Sequence, residues 1–139
     1  MWTTEHAADT DITPAAVWAA LRDLHTGEVT SESGDTFEIH GPFAVGIELT
    51  VTPKGQDSFT SMIIEIVENE VYADRTEFDG LTLLFRHTLQ ELPDGGTRVA
   101  HRLEIAGPAA DKVGPELGPQ ISDDFPTAMA DLLAIARQR

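Results

Sequence analysis

Residues 85–103 read FRHTLQELPDGGTRVAHRL, two alternating runs joined by Pro93-Asp94-Gly95-Gly96. Leu83, Phe85, His87 and Leu89 fall on one side of the first run, opposite Thr82, Arg86, Thr88 and Gln90. In the second run Val99, His101, Leu103 and Ile105 alternate with Arg98, Ala100, Arg102 and Glu104. Period-two alternation marks a half-buried strand, and the Pro-Asp-Gly-Gly segment supplies turn chemistry with glycines free to take positive φ. If Glu91 faces Thr97, then Leu89 faces Val99, Phe85 faces Leu103 and His87 faces His101. The hairpin thus places two imidazoles side by side on an otherwise apolar face.

Working outward, the preceding Asp79-Gly80 is a two-residue hairpin signal that sets Phe78 against Leu81, Asp74 near Phe85 and Tyr72 near His87. Earlier strands are expected near Val71–Phe78, Phe59–Glu68, Ala44–Thr52 and Thr36–His40. Their inward sets are read as Met62, Ile64 and Ile66 in one strand and Ile47, Leu49 and Val51 in another. The first strand, about Trp2 to Ile12, alternates so that His6 points inward and Glu5, Asp9 and Asp11 face water. Thr13-Pro14 is a capping residue followed by proline at the first helical position, and Val17, Trp18, Leu21 and Leu24 form one face of a short helix. Residues 25–35, HTGEVTSESGD, read as irregular, with His25 and His40 solvated. Gly107-Pro108 ends the hairpin, and a glycine- and proline-rich loop follows. Ile121, Phe125, Met129, Leu132, Leu133 and Ala136 then recur at helical spacing, with Ser122 or Asp123 as cap and Pro126 in the first turns.

A run of antiparallel strands with an amphipathic helix left over is an α+β arrangement in which the sheet buries one face against that helix. The 139 residues suffice for one domain spanning 1–139. The 24 Asp and Glu against 9 Lys and Arg give a formal net charge of −15, which repels phosphate backbones and anionic membranes. No nucleic acid partner and no membrane insertion are therefore expected. There is no cysteine, so disulfides and thiolate chemistry are excluded. MWTTEHAADTDI lacks the basic start and apolar run of a signal peptide, and the expected location of this acidic protein is cytoplasmic. The assembly stays open, a homodimer included.

The sequence resembles the SRPBCC superfamily, also called START-like, which includes polyketide cyclase/dehydrase and lipid-transport proteins. The carrying residues are TDITPAAVWAAL (10–21), HGPFAVG (40–46), DGGTRVAHRLEIAGPAA (94–110) and the terminal helix, so the likeness covers nearly the whole chain. It implies the helix-grip fold, a curved seven-stranded antiparallel sheet wrapped around a long C-terminal helix, with a short N-terminal helix. It also implies a largely apolar cavity for a small hydrophobic ligand, lipid- or polyketide-like. Many bacterial members carry a tryptophan-rich segment after the first helix; residues 25–35 here contain no aromatic side chain. No catalytic motif carries across the superfamily, so the resemblance gives a fold and a pocket rather than a reaction.

The resemblance further implies that the first strand pairs with the last, setting His6 beside His101. His6, His101, His87, Tyr72 and Asp74 would then cross an apolar wall as a polar stripe, with neighbouring Cβ atoms about 5 Å apart. Such a stripe reads in three ways. It is a set of mutually hydrogen-bonded polar residues tolerated by a roomy interior. It is the polar anchor of an amphipathic ligand, with Phe85, Met62, Leu49, Phe125 and Met129 as apolar lining. Or it is an acid–base site, with His87, His101 and Asp74 as catalytic candidates. A metal is not expected: ligands must bring nitrogens within about 2.1 Å of one point, and a straight row on a sheet fans apart. No cofactor is implied. The leading reading is a binder or carrier of a small hydrophobic or amphipathic molecule. The alternatives are a polyketide-cyclase-like enzyme and a protein-interaction module, which the polar outward residues of the hairpin disfavour.

Overall fold

The computed structural model describes residues 1–31 and 34–138. Seven strands form one sheet: β1 (Trp2–Thr10), β2 (Thr36–Ile39), β3 (Glu48–Thr52), β4 (Phe59–Val67), β5 (Val71–Phe78), β6 (Leu81–Glu91) and β7 (Thr97–Ala106). Their spatial order is β1-β7-β6-β5-β4-β3-β2, and every neighbouring pair is antiparallel. The deciding hairpin has the expected register, with Leu89 opposite Val99, His87 opposite His101 and Phe85 opposite Leu103. Its turn closes through Leu92 N–H to the Gly96 carbonyl and Gly95 N–H to the Leu92 carbonyl. Gly96 abuts the Thr10 carbonyl so closely that a Cβ would strike it, which ties this turn to the end of β1. Asp79 and Gly80 both take positive φ, as a tight two-residue hairpin turn requires.

Helix α1 (Pro14–His25) begins where Thr13 accepts the Ala16 N–H on its side chain, with Pro14 opening the first turn. It packs against β2, β6 and the last helix. Val17, Trp18 and Leu21 sink into the main core with Leu49, Val51, Ile63, Tyr72, Leu89, Val99, Met129 and Leu132.

Three local expectations are corrected. First, residues 44–47 are not strand: the chain bends through Gly41 and Gly46, both at positive φ, and β3 starts at Glu48. Second, the glycine- and proline-rich stretch after β7 is a helix, α2 (Ala110–Ser122), separated from α3 (Phe125–Arg137) by Asp123 and Asp124. The C-terminal helical segment that the sheet grips is therefore in two pieces. The Gly114-Pro115 and Gly118-Pro119 pairs explain how prolines are tolerated: a residue before proline is pushed out of helical geometry partly by its Cβ, which glycine lacks. The same glycines admit the Trp2 ring, which lies where their Cβ atoms would be. Third, β4 changes phase at a bulge between Ile63 and Glu65, so its inward residues are Ser61 and Ile63 before the bulge and Ile66 after it. Of the expected irregular run 25–35, His25 ends α1, and Glu32 and Ser33 lie outside the described residues.

Candidate functional site

The inward face carries the polar stripe from strand to strand. His6 pairs with His101 across β1–β7, His101 with His87 across β7–β6, and His87 with Tyr72 across β6–β5. Asp74 lies two residues beyond Tyr72 on the same face of β5, opposite Phe85. His6, on the edge strand, is half-buried, whereas His101, Tyr72 and Asp74 are buried. The His87 and His101 rings stand perpendicular, 4.3 Å between centres, and Phe125 of α3 approaches His101 edge-on at 6.1 Å.

A fourth histidine completes the cluster. His25 is buried at the end of α1, which overturns its reading as a solvated loop residue. Its Nδ1–H donates to the Leu21 carbonyl at 2.8 Å, so the neutral ring keeps Nε2 as an acceptor. The ring lies 4.6 Å from Phe37, 4.3 Å from Tyr72 and 5.4 Å from His87. The signal was in the sequence: His25 follows Leu21 by four residues and Trp18 by seven, the spacing of the apolar face of α1. Phe43, from the bend before β3, stacks on Tyr72 at 5.6 Å with rings nearly parallel. His40, as expected, is exposed, against Thr50 Oγ1 at 2.7 Å.

Asp74 is the hub of a second, fully satisfied network. Tyr72 O–H donates to Asp74 Oδ2 at 2.8 Å and Ser61 O–H to Oδ1 at 2.9 Å. Ser61 faces inward only because the bulge shifts the phase of β4, which the sequence pattern does not signal. The same shift puts Met62, expected on the lining, opposite the exposed Glu48 and Arg75 on the outer face of the sheet. Of the other proposed lining residues, Leu49 and Met129 are in the main core. Phe85 and Phe125 pack on a second cluster formed by Leu81, Leu83, Leu103, Ile105 and Ala110.

Burial governs the charge states. It pushes the Asp74 carboxyl above its usual range, against the opposing pull of His25, Tyr72 and Ser61. Tyr72 is held well above the ordinary phenol range by burial and then by the Asp74 charge. All three interior imidazoles are driven toward neutrality. Burial lowers His25, opposed by Asp74 and by the bond to Leu21. Burial, then His101 and His25, hold His87 well below the normal histidine range. Burial, then His25 and His6, bring His101 down to about 3. Two nitrogens of these neutral rings, His87 Nδ1 and His101 Nε2, are buried without a hydrogen-bond partner. Among the described residues no group of three or more His, Cys, Asp or Glu side chains is arranged to hold a metal ion. Two surface pockets lie elsewhere, one between Phe78 and α2, the other beside Pro14, Asn69 and Glu91.

Comparison with solved structures places this architecture. The chain superposes on Ara h 8.0201 with a TM-score of 0.71 at 20% identity, covering 98% of this chain and 95% of that one. It superposes on protein MLL2253 from Mesorhizobium loti with 0.71 at 14% identity, covering 98% and 97%. With norcoclaurine synthase from Thalictrum flavum the score is 0.68 at 15% identity, covering 98% and 84%. No protein-family model matches the chain, and no curated protein matches it in sequence. The fold is the SRPBCC-type helix-grip fold that these proteins share, as the resemblance in the sequence implied. Among the described residues no helix is long and apolar enough to cross a membrane.

Proposed function

We propose that residues 1–139 form one ligand-binding domain that holds a small hydrophobic or amphipathic molecule between the sheet and the terminal helices, with the histidine row as its polar anchor. The observation that carries this reading is that His87 Nδ1 and His101 Nε2, two of the four buried side-chain atoms without a partner among the described residues, belong to directly opposed residues on the inward face. An unsatisfied buried polar atom costs roughly 1–3 kcal/mol, and leucine at either position would avoid that cost. Retaining imidazole against stability is expected of a site that a ligand completes. Structures of the same fold support the reading, since a point mutant of norcoclaurine synthase is known in complex with a transition state analogue. The test is titration of a fluorescent fatty-acyl probe into wild type, His87→Leu and His101→Leu. Weaker binding in both variants, with cooperative melting retained, is the expected result. Equal affinity in all three proteins would contradict the anchor.

A second reading, acid–base catalysis, is favoured by the opposed shifts of two neighbouring groups, Asp74 raised and His25 lowered. Such shifts ease proton exchange between a carboxyl and an imidazole. It predicts that the protein accelerates deuterium wash-in beside the carbonyl of 2-decanone in heavy water, and that Asp74→Asn abolishes this. Absence of wash-in with the wild type would remove the reading.

A further inference from the structure

Resting on the ligand-binding reading, the geometry points to the kind of headgroup the anchor takes: we infer that it is an uncharged hydroxyl, bridging His87 Nδ1 and His101 Nε2. These residues are directly opposed on β6 and β7, and their rings are perpendicular at 4.3 Å. A neutral imidazole offers one N–H and one lone pair, and here neither buried nitrogen is committed to a protein partner that would fix its tautomer. The pair can therefore present one donor and one acceptor. A hydroxyl oxygen is both acceptor and donor at a single atom, so it satisfies the two together.

Charged headgroups fit worse. An anion would need an imidazolium, yet the groups facing the pair are Tyr72 and the carboxyl of Asp74 on β5, His6 on β1, His25 on α1 and the apolar Phe125 on α3. None of these supplies a permanent positive charge, and the chain as a whole carries −15. A cation would need a free carboxylate. Both oxygens of Asp74 already accept hydroxyl protons, from Ser61 and Tyr72. An ether can accept one hydrogen bond but cannot donate the other.

The experiment uses the full chain near neutral pH with N-phenyl-1-naphthylamine as reporter. Decan-1-ol, its methyl ether, decanoate and decylamine are compared as displacing ligands. The alcohol should displace the probe at about five- to tenfold lower concentration than the ether, the effect of one hydrogen bond, and should outcompete both ions. His87→Leu and His101→Leu should each erase the alcohol-over-ether preference, while the exposed His40→Leu should keep it. His101→Gln, whose amide both donates and accepts, guards against a leucine variant that misfolds and should retain part of the preference. Equal displacement by alcohol and ether, or tighter binding of decanoate or decylamine, would overturn the hydroxyl assignment and leave the binding reading standing. If neither probe nor any decyl compound binds the wild type, both fall.

Discussion

Replacing Tyr72 with phenylalanine removes the hydroxyl that donates to Asp74 Oδ2 and leaves the ring stacked on Phe43. Asp74 is buried, so the abandoned oxygen keeps its desolvation cost without its partner. Chemical denaturation of Tyr72→Phe should show a loss of about 1–3 kcal/mol, while a loss near zero would mean the network contributes little. His101 acts in the opposite sense. Its folded pKa of about 3 lies below the ordinary 6.5, so its contribution to stability is complete above 6.5 and drains away as pH falls toward 3. Between about pH 7.5 and pH 5 that amounts to roughly 2 kcal/mol. Asp35, raised to about 6 by burial and by Asp124, offsets part of this loss, because it stabilises the fold as pH drops from 6 toward 3.8. Comparing variants isolates the histidine. His101→Leu should be as stable as wild type near pH 7.5, or more so, and should lose about 2 kcal/mol less on acidification to pH 5. An identical acid response in the two proteins would contradict the neutral, buried state assigned to His101.

At the scale of elements, α2 is the weakest part of the structure by composition. It contains Gly114, Pro115, Gly118 and Pro119 and has no side-chain cap at its N-terminus. Glycine and proline are the two poorest helix formers, so packing against β1 and β7 must hold it in place. Trp2 is the centre of that packing, lying against Gly114 and Gly118. Gly118→Ala therefore opposes propensity to packing. Alanine is ordinarily the better helix former by about 1 kcal/mol, but before Pro119 its Cβ is itself disfavoured in helical geometry, and its methyl group lands on the indole, an overpacking that costs typically 1–3 kcal/mol. The prediction is net destabilisation with faster amide exchange in residues 110–122, relieved in the double variant Trp2→Ala/Gly118→Ala. Stabilisation by Gly118→Ala alone would mean that α2 does not rest on Trp2. The elements also show which parts of the fold were legible in the sequence. The register from β5 to β7 could be read because two short turns fix the pairings and each strand keeps an unbroken period of two, whereas the pairing of β1 with β7 was implied by the family resemblance. The phase of β4 could not, since one extra residue at Ile63–Glu65 exchanges inside for outside, and Met62 went with it. Helix α2 was hidden because glycine and proline ordinarily signal a loop, and the tertiary contact that permits them comes from Trp2, 112 residues before Gly114 in the chain. His25 was hidden by the polar residues that follow it, although its spacing from Leu21 and Trp18 belonged to the buried face.

For the whole molecule, the fold creates an interior in which polar groups of two kinds converge. One set, Tyr72, Ser61 and Asp74, is closed on itself. The other, His87 and His101, leaves a nitrogen apiece without a partner. The first explains how a carboxyl survives burial, and the second is where the proposed ligand would place its polar head. The surface groove between Phe78 and Leu117 is the competing location for an apolar ligand, since Phe78 is half-exposed there beside Leu81 and Val113. The most direct discrimination is a titration of the isotopically labelled protein with decan-1-ol, followed by backbone and imidazole NMR shifts. The account predicts saturable shifts centred on His87, His101, Tyr72 and Phe125, with both imidazoles remaining neutral throughout. Shifts confined to Phe78, Leu81, Val113 and Leu117, with the histidine resonances unmoved, would contradict it.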